Sequence, residues 1–146
     1  MPYVEVEKLI RANPEAVYTV LSDMASFPRF MENVVSVEVV RREGNTTDSQ
    51  WHVILQGAPF RWLERDTFLP DEGRITYQQI SGDLKRFEGE WRIAAAEGGT
   101  SVTLTTDFEF GMPMIANLLN PVAKLILRRN AEQMLQALDK DLSSPE

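Results

Sequence analysis

Between Val34 and Phe110 the chain repeats one pattern six times: a short run in which apolar and polar residues alternate, followed by a cluster of turn formers. Alternation sends successive side chains to opposite faces of an extended backbone, so each run predicts a strand with one buried and one wet face. The runs are 34–43, 48–56, 60–70, 74–81, 86–96 and 100–110. Between them stand Glu43-Gly44-Asn45, Gly57-Ala58-Pro59, Pro70-Asp71-Glu72-Gly73, Ser81-Gly82-Asp83 and Glu97-Gly98-Gly99. Breaks this short, and this rich in Gly, Pro, Asn and Asp, suit hairpins and leave no room for crossover helices. An antiparallel meander follows.

The flanks complete the pattern. YVEVEKLI alternates and predicts a further strand, after which Asn13 can cap a helix that Pro14 opens and Glu15 favours at its positive end. That helix carries Ala16, Val17, Val20, Leu21 and Met24, and a second short helix is expected in SFPRFME. From about Pro113 to Leu142 the period is helical. The order strand, two short helices, six strands, long helix predicts an α+β fold: a curved seven-stranded antiparallel sheet wrapped around a long C-terminal helix. With 146 residues, a single domain over 1–142 is expected, and 143–146 reads as a disordered tail.

The long helix has two apolar stripes. Ile115, Leu118, Leu119, Val122 and Ile126 fall in one sector, while Leu127, Ala131, Met134, Leu135, Leu138 and Leu142 fall roughly opposite. A helix lying on one core needs one stripe, so the switch calls for a second apolar partner or a change of direction, which Pro121 can supply. A bound apolar ligand, another subunit, a membrane or more of the protein's own core would each serve. Cavity wall and core share one composition, so the stripes alone do not choose.

Charge and composition remove several function classes. The net charge of −7 argues against a nucleic-acid surface, and Arg41-Arg42, Lys85-Arg86 and Arg128-Arg129 are too small to make a basic patch. No cysteine is present, so disulfides, zinc–cysteine sites and thiol catalysis are excluded. MPYVEVEK lacks the basic and apolar regions of a signal peptide, and no apolar run approaches bilayer-spanning length. A cytoplasmic, non-membrane-spanning monomer or homodimer is the expectation. His52 lies opposite in phase to Trp51 and Val53 and is expected to face outward. No spacing suits a metal, no GXGXXG or P-loop occurs, and no cofactor is expected.

LIRANPEAVYTVLSDMASFPRFMENVVSVEVV, with its Pro at the helix start, its Val-Tyr pair, Asp23 and Phe27-Pro28-x-Phe30, resembles the opening of the polyketide cyclase / coenzyme-Q-binding branch of the START-like (SRPBCC) superfamily. GDLKRFEGEWRI, TDFEF and the C-terminal helix are similar to the same branch, so the resemblance spans nearly the whole chain. It implies a helix-grip fold with a deep cavity for lipids, isoprenoid quinones, polyketides or other apolar molecules. It fixes no reaction.

Under that implication, Met112, Met114, Ile115, Leu118 and Leu119 would close the cavity mouth while the later stripe packs on the sheet. Phe87 and Trp91 share one face of strand 86–96, where Gly89 leaves a gap, and Thr106, Phe108 and Phe110 share one face of strand 100–110. Strand 60–70 does not alternate cleanly: Phe60, Trp62, Glu64, Asp66 and Phe68 stand against Arg61, Leu63, Arg65, Thr67 and Leu69. Either way a charge points inward unless a bulge intervenes. In aromatase/cyclase relatives an arginine on this strand is thought to hold polyketide carbonyls, and Arg65 is the similar position. A guanidinium there polarises a carbonyl without taking its proton. Glu64 and Asp66 read as a solvated pair. Tyr77 and Gln79 share a face and can add hydrogen bonds, although the second inward arginine that the resemblance implies is replaced by TYQQIS, with Arg74 only at the strand start.

The expected ligand contacts are therefore Trp51, Leu63, Arg65, Tyr77, Gln79, Phe87, Trp91, Thr106, Phe108, Phe110, Met112, Met114, Ile115, Leu118 and Leu119, with Arg65 and Tyr77 also candidates for catalysis. Three functions stay open: a binding or carrier domain for a hydrophobic small molecule, a polyketide aromatase/cyclase, and a protein-interaction module.

Overall fold

The computed structural model describes residues 3–55, 57–109 and 113–143, with side chains at all of these except 58 and 113–120. Strand β1 (Tyr3–Ile10) leads into helix α1 (Pro14–Ser22) and a 3-10 helix, Met24–Arg29. Strands β2 (Val34–Glu43), β3 (Thr46–Leu55), β4 (Ala58–Leu69), β5 (Arg74–Gly82), β6 (Arg86–Ala96) and β7 (Gly99–Glu109) follow, with a 3-10 turn at Pro70–Glu72, and helix α2 (Pro113–Ser143) ends the chain. The strands form one antiparallel sheet in the order β1-β7-β6-β5-β4-β3-β2. The meander is continuous from β2 to β7, and β1 joins it beside β7, from Tyr3↔Asp107 to Ile10↔Thr100. This is the helix-grip arrangement.

Local chemistry sets the boundaries. Asn13 Oδ1 accepts the Ala16 N–H at 2.8 Å, and Pro14 occupies the first turn, where its missing N–H costs nothing. The second short helix opens at Met24, earlier than SFPRFME suggests, because the Asp23 C=O accepts the Ser26 N–H at 3.0 Å and starts the next turn at once. Helix α2 runs through Pro121 as one element.

The concave face carries the core. Val53 and Trp51 of β3, Ile75 and Tyr77 of β5, Trp91 and Ile93 of β6, and Val102, Leu104 and Phe108 of β7 are buried against Leu127, Ala131, Met134, Leu135 and Leu138 of α2. Directly paired residues share a face, so Trp91↔Leu104 and Phe87↔Phe108 put Trp91 and Phe108 on the same side, as their alternation predicts. Among the described side chains of α2, the later stripe lies against this core. Val122 and Leu125 remain about half exposed.

One ion pair pins the far end of α2. Asp139 accepts the Arg11 backbone N–H at 3.0 Å and, through its other oxygen, Arg11 Nη2 at 3.0 Å. Burial alone lifts the Asp139 carboxyl, but the Arg11 hydrogen bonds outweigh it and hold the group below the usual aspartate value.

Candidate functional site

Leu127 is the first buried residue among the described side chains of α2, and two adjoining chambers open between this part of the helix and the sheet. The outer one, about 280 Å³, is walled by Val53, Leu55, Phe60, Trp62, Leu84, Phe87 and Phe108 of the sheet side and by Val122, Ala123, Ile126, Leu127 and Asn130 of the helix. The inner one, about 50 Å³, shares Val53, Trp62, Phe87, Leu127 and Asn130 with it and ends on Trp51, Glu64, Tyr77, Trp91 and Thr106. A wider groove of about 870 Å³ lies outside the sheet–helix gap, between Phe30, Glu32, Asn33 and the Gln133–Asp141 stretch of α2. Its charged and amide walls are ordinary surface chemistry, so the smaller apolar chambers are the better ligand site.

Aromatic rings build the sheet-side wall. Trp51 and Trp62 are direct cross-strand partners and stack with ring centres 5.7 Å apart and planes within 7°. Phe87 tilts against both Trp62 at 5.0 Å and Tyr77 at 5.7 Å. Such contacts fix ring orientation beyond what area burial does.

At the closed end the wall turns polar. Glu64 and Asp66, expected to be solvated, are 3% and 0% exposed. Trp62 Nε1 donates to Glu64 Oε1 at 2.7 Å; Ser49 Oγ donates to Asp66 Oδ2 at 2.6 Å and itself accepts Trp51 Nε1 at 2.9 Å. Thr47 Oγ1 adds a longer contact to Asp66 Oδ2 at 3.3 Å. Burial pushes the Glu64 carboxyl well above the usual glutamate value, and its hydrogen bond with Asp66 and the charge of Asp66 push the same way. Asp66 is also lifted by burial, against the opposing hydrogen bonds from Glu64, Ser49 and Thr47. Both carboxyls are thus shifted toward their neutral forms, Glu64 the more strongly.

Several expected residues take their places here. Trp51, Tyr77, Phe87, Trp91 and Thr106 line the inner chamber, and Gln79 and Phe108 line the outer one. Gln79 Nε2 is held by the Leu84 carbonyl at 2.6 Å. The Tyr77 hydroxyl is not a free proton relay: it donates to the Thr105 carbonyl at 2.7 Å, lies 2.8 Å from Thr106 Oγ1, and burial drives its phenol far above the usual tyrosine range. It reaches Thr106 across Gly89, where an added Cβ would stand 2.0 Å from the Thr105 carbonyl oxygen and 2.7 Å from the Tyr77 hydroxyl. The gap noted in the apolar row of β6 is what admits that ring.

Arg65 and Leu63 are corrections. Pairing of Trp51 with Trp62 turns Trp62, Glu64 and Asp66 inward and so turns Leu63 and Arg65 to the convex face. There Arg65 Nε and Nη2 grip Asp48 at 2.9 and 3.2 Å, with the guanidinium half exposed to solvent. Phe110 and Met112, and the side chains of Met114, Ile115, Leu118 and Leu119, lie outside the described residues; the helical wall that is described is Val122 to Asn130. Trp62, Glu64, Asp66, Ser49 and Asn130 were not among the expected contacts. The aromatic row Phe60, Trp62, Phe68 was the available signal for the inward face of β4.

Comparison with known proteins agrees with the fold. A crystal structure of a protein from Thermus thermophilus superposes with a TM-score of 0.91 at 33% identity, covering 98% of this chain and 100% of that one. The Zhui aromatase/cyclase from a Streptomyces species superposes at 0.86 with 20% identity over 96% of this chain and 92% of its own, which is a likeness of fold. Among curated proteins, the actinorhodin polyketide synthase bifunctional cyclase/dehydratase of Streptomyces coelicolor is 27% identical over 100 residues, 67% of this chain, which spans about a third (32%) of that relative's length. The family described as polyketide cyclase / dehydrase and lipid transport matches residues 10–135, nearly the whole folded unit, and the chain belongs to it.

Proposed function

We propose that the protein binds an uncharged, largely apolar ring compound of the polyketide or lipid class in the two chambers between the sheet and α2. The observation that carries this reading is the apolar gap itself, about 280 Å³ in its outer part, closed at its inner end by a few fixed polar groups. Its aromatic wall suits flat rings, and the absence of any cation among the described lining residues of the inner chamber disfavours a carboxylate or phosphate headgroup there. Arg61 reaches only the outer chamber and is itself exposed. The family name and the cyclase/dehydratase relative support a second reading, turnover of a polyketide in the same chambers, and the buried carboxyl pair is the feature that favours it.

The test is titration of the neutral dye N-phenyl-1-naphthylamine against the wild type and Ala123→Trp. Ala123 lines the outer chamber from α2, so an indole there fills the gap. The dye should brighten on the wild type and lose affinity by more than about tenfold on the variant, an order of magnitude set by losing a buried ring's contacts. Equal binding to both proteins would move the ligand elsewhere.

A further inference from the structure

Glu64 and Asp66 are the only two buried carboxylates among the described residues that have no cationic partner; Asp139, also buried, has Arg11. Two such groups side by side cannot both ionise away from water, and sharing one proton is the low-energy arrangement. The hydrogen bonds agree. Asp66 Oδ2 has Ser49 and Thr47, whereas Asp66 Oδ1 is fully buried and finds no N–H or hydroxyl donor, a want that a proton on the neighbouring Glu64 would meet.

The pair also spans two different spaces. Glu64 lies in the wall of the inner chamber. Asp66 lies in the wall of a second hollow of about 10 Å³, on the side of α1 and the 3-10 helix, lined by Ser22, Asp23, Met24, Arg42, Thr47 and Ser49. That volume is close to what one water occupies. Ser22 Oγ is buried there without a partner, so a water joining Ser22 to Asp66 would satisfy it. Asp23 and Arg42, at the rim of the same hollow, are exposed and connect it to solvent. Across the inner chamber stands Asn130, whose Oδ1 accepts from Asn33 and whose Nδ2 has only the Met134 thioether at 3.6 Å. A thioether is a weak acceptor, so Nδ2 is available to a ligand oxygen.

We propose that Glu64 and Asp66 form a proton-sharing acid–base pair that enolises an uncharged ketone lying across the two chambers with its carbonyl end in the inner one, with Asn130 binding the carbonyl oxygen and the water-sized hollow behind Asp66 exchanging the proton with solvent. This rests on the cavity reading above. In the step, the shared proton passes to Asp66 and leaves Glu64 anionic toward the chamber. The α-C–H bond of the ketone breaks, its electron pair becomes the C=C bond, and the carbonyl π pair moves to the oxygen held by Asn130 Nδ2. The α proton goes to Glu64, so the pair passes from one proton to two, and the reverse step returns a proton to the same carbon. No other reactant is consumed. Glu64 is the catalytic residue; Asp66 acts through it.

The experiment follows loss of the α protons of 1-tetralone in D2O by NMR, with binding of the same ketone measured separately by calorimetry. The wild type should speed exchange over buffer by on the order of 100-fold or more, the usual scale for a positioned acid–base group. Glu64→Gln keeps the shape and the Trp62 contact and should bind the ketone while exchange falls to the buffer rate. Asp66→Asn serves as a second variant with the same expectation, should Glu64→Gln fold poorly. Binding by the wild type with no exchange above buffer overturns the inference and leaves the cavity reading intact. Undiminished exchange in a folded Glu64→Gln or Asp66→Asn overturns it as well. Failure to bind 1-tetralone while the neutral dye binds refutes the ketone class, and failure of both refutes the cavity reading.

Discussion

Replacing Glu64 with glutamine is the most direct probe of the buried pair, because glutamine has the shape of a protonated glutamate. It can accept from Trp62 Nε1, as Glu64 does, and offers an N–H to Asp66 Oδ1, which otherwise lacks a donor. The sign of the pH effect follows from linkage. Glu64 in the native state is raised above the ordinary value of 4.5, so between that value and the native one the folded protein binds one proton more than the unfolded chain. Stability of the wild type then falls as pH rises, by about 1.4 kcal/mol per pH unit for one excess proton. Glutamine has no proton to bind, so Glu64→Gln should lack this slope. Urea denaturation at steps upward from about pH 4.5 should show near-equal stability at the acid end and a variant that gains on the wild type by about 1.4 kcal/mol per unit until the native Glu64 value is passed. Titrations of groups that do not touch Glu64 cancel in the difference. Parallel pH curves, or a variant less stable by about 2 kcal/mol throughout, would mean that Glu64 is charged in the fold. The shared-proton arrangement would then be wrong.

Three further outcomes are expected. Arg65→Ala should leave dye affinity unchanged, since the guanidinium grips Asp48 on the convex face, and a clear loss of binding would return Arg65 to the site. Gly89→Ala should destabilise by about 1–3 kcal/mol or more in urea, because its Cβ would press on the Thr105 carbonyl and the Tyr77 hydroxyl together. Asp139→Asn should cost roughly 1.5–3 kcal/mol at neutral pH by weakening the charge-assisted bonds from Arg11. Because Asp139 is held below the ordinary 3.8, that contribution is complete above 3.8 and disappears as pH falls through the native value, so variant and wild type should converge in acid.

The strands and their inward faces were legible wherever one face was free of charge. Trp91 and Phe108 could be placed from alternation alone, and so could the helix start at Asn13-Pro14. Strand β4 resisted because both parities carry charge, and its face depends on the register with β3. A three-residue break at Gly57-Ala58-Pro59 sets residue 56 opposite 60 and hence Trp51 opposite Arg65, which points the arginine inward. The structure pairs Leu55 with Ala58, and so Trp51 with Trp62. An odd shift exchanges every side chain between faces. Two carboxylates then enter the core where one arginine was expected, and what makes them tolerable, Ser49 with Thr47 on β3 and the indole of Trp62, depends on that same register. Asn130 was missed for another reason: an amide within a helical stripe carries no signal until the sheet opposite it is known.

All three tryptophans of the chain, Trp51, Trp62 and Trp91, line the inner chamber. The ultraviolet emission of the whole protein therefore arises from the walls of one hollow, with no distant indole to dilute it. Two of these rings lie parallel at 5.7 Å with their N–H groups bonded to oxygen atoms of the polar end, which couples their electronic transitions and makes their near-ultraviolet dichroism sensitive to small rotations. A molecule that slides between Trp62 and Phe87, or a proton that leaves Glu64, alters the surroundings of these chromophores directly. The protein thus carries its own optical gauge of occupancy, readable without a label.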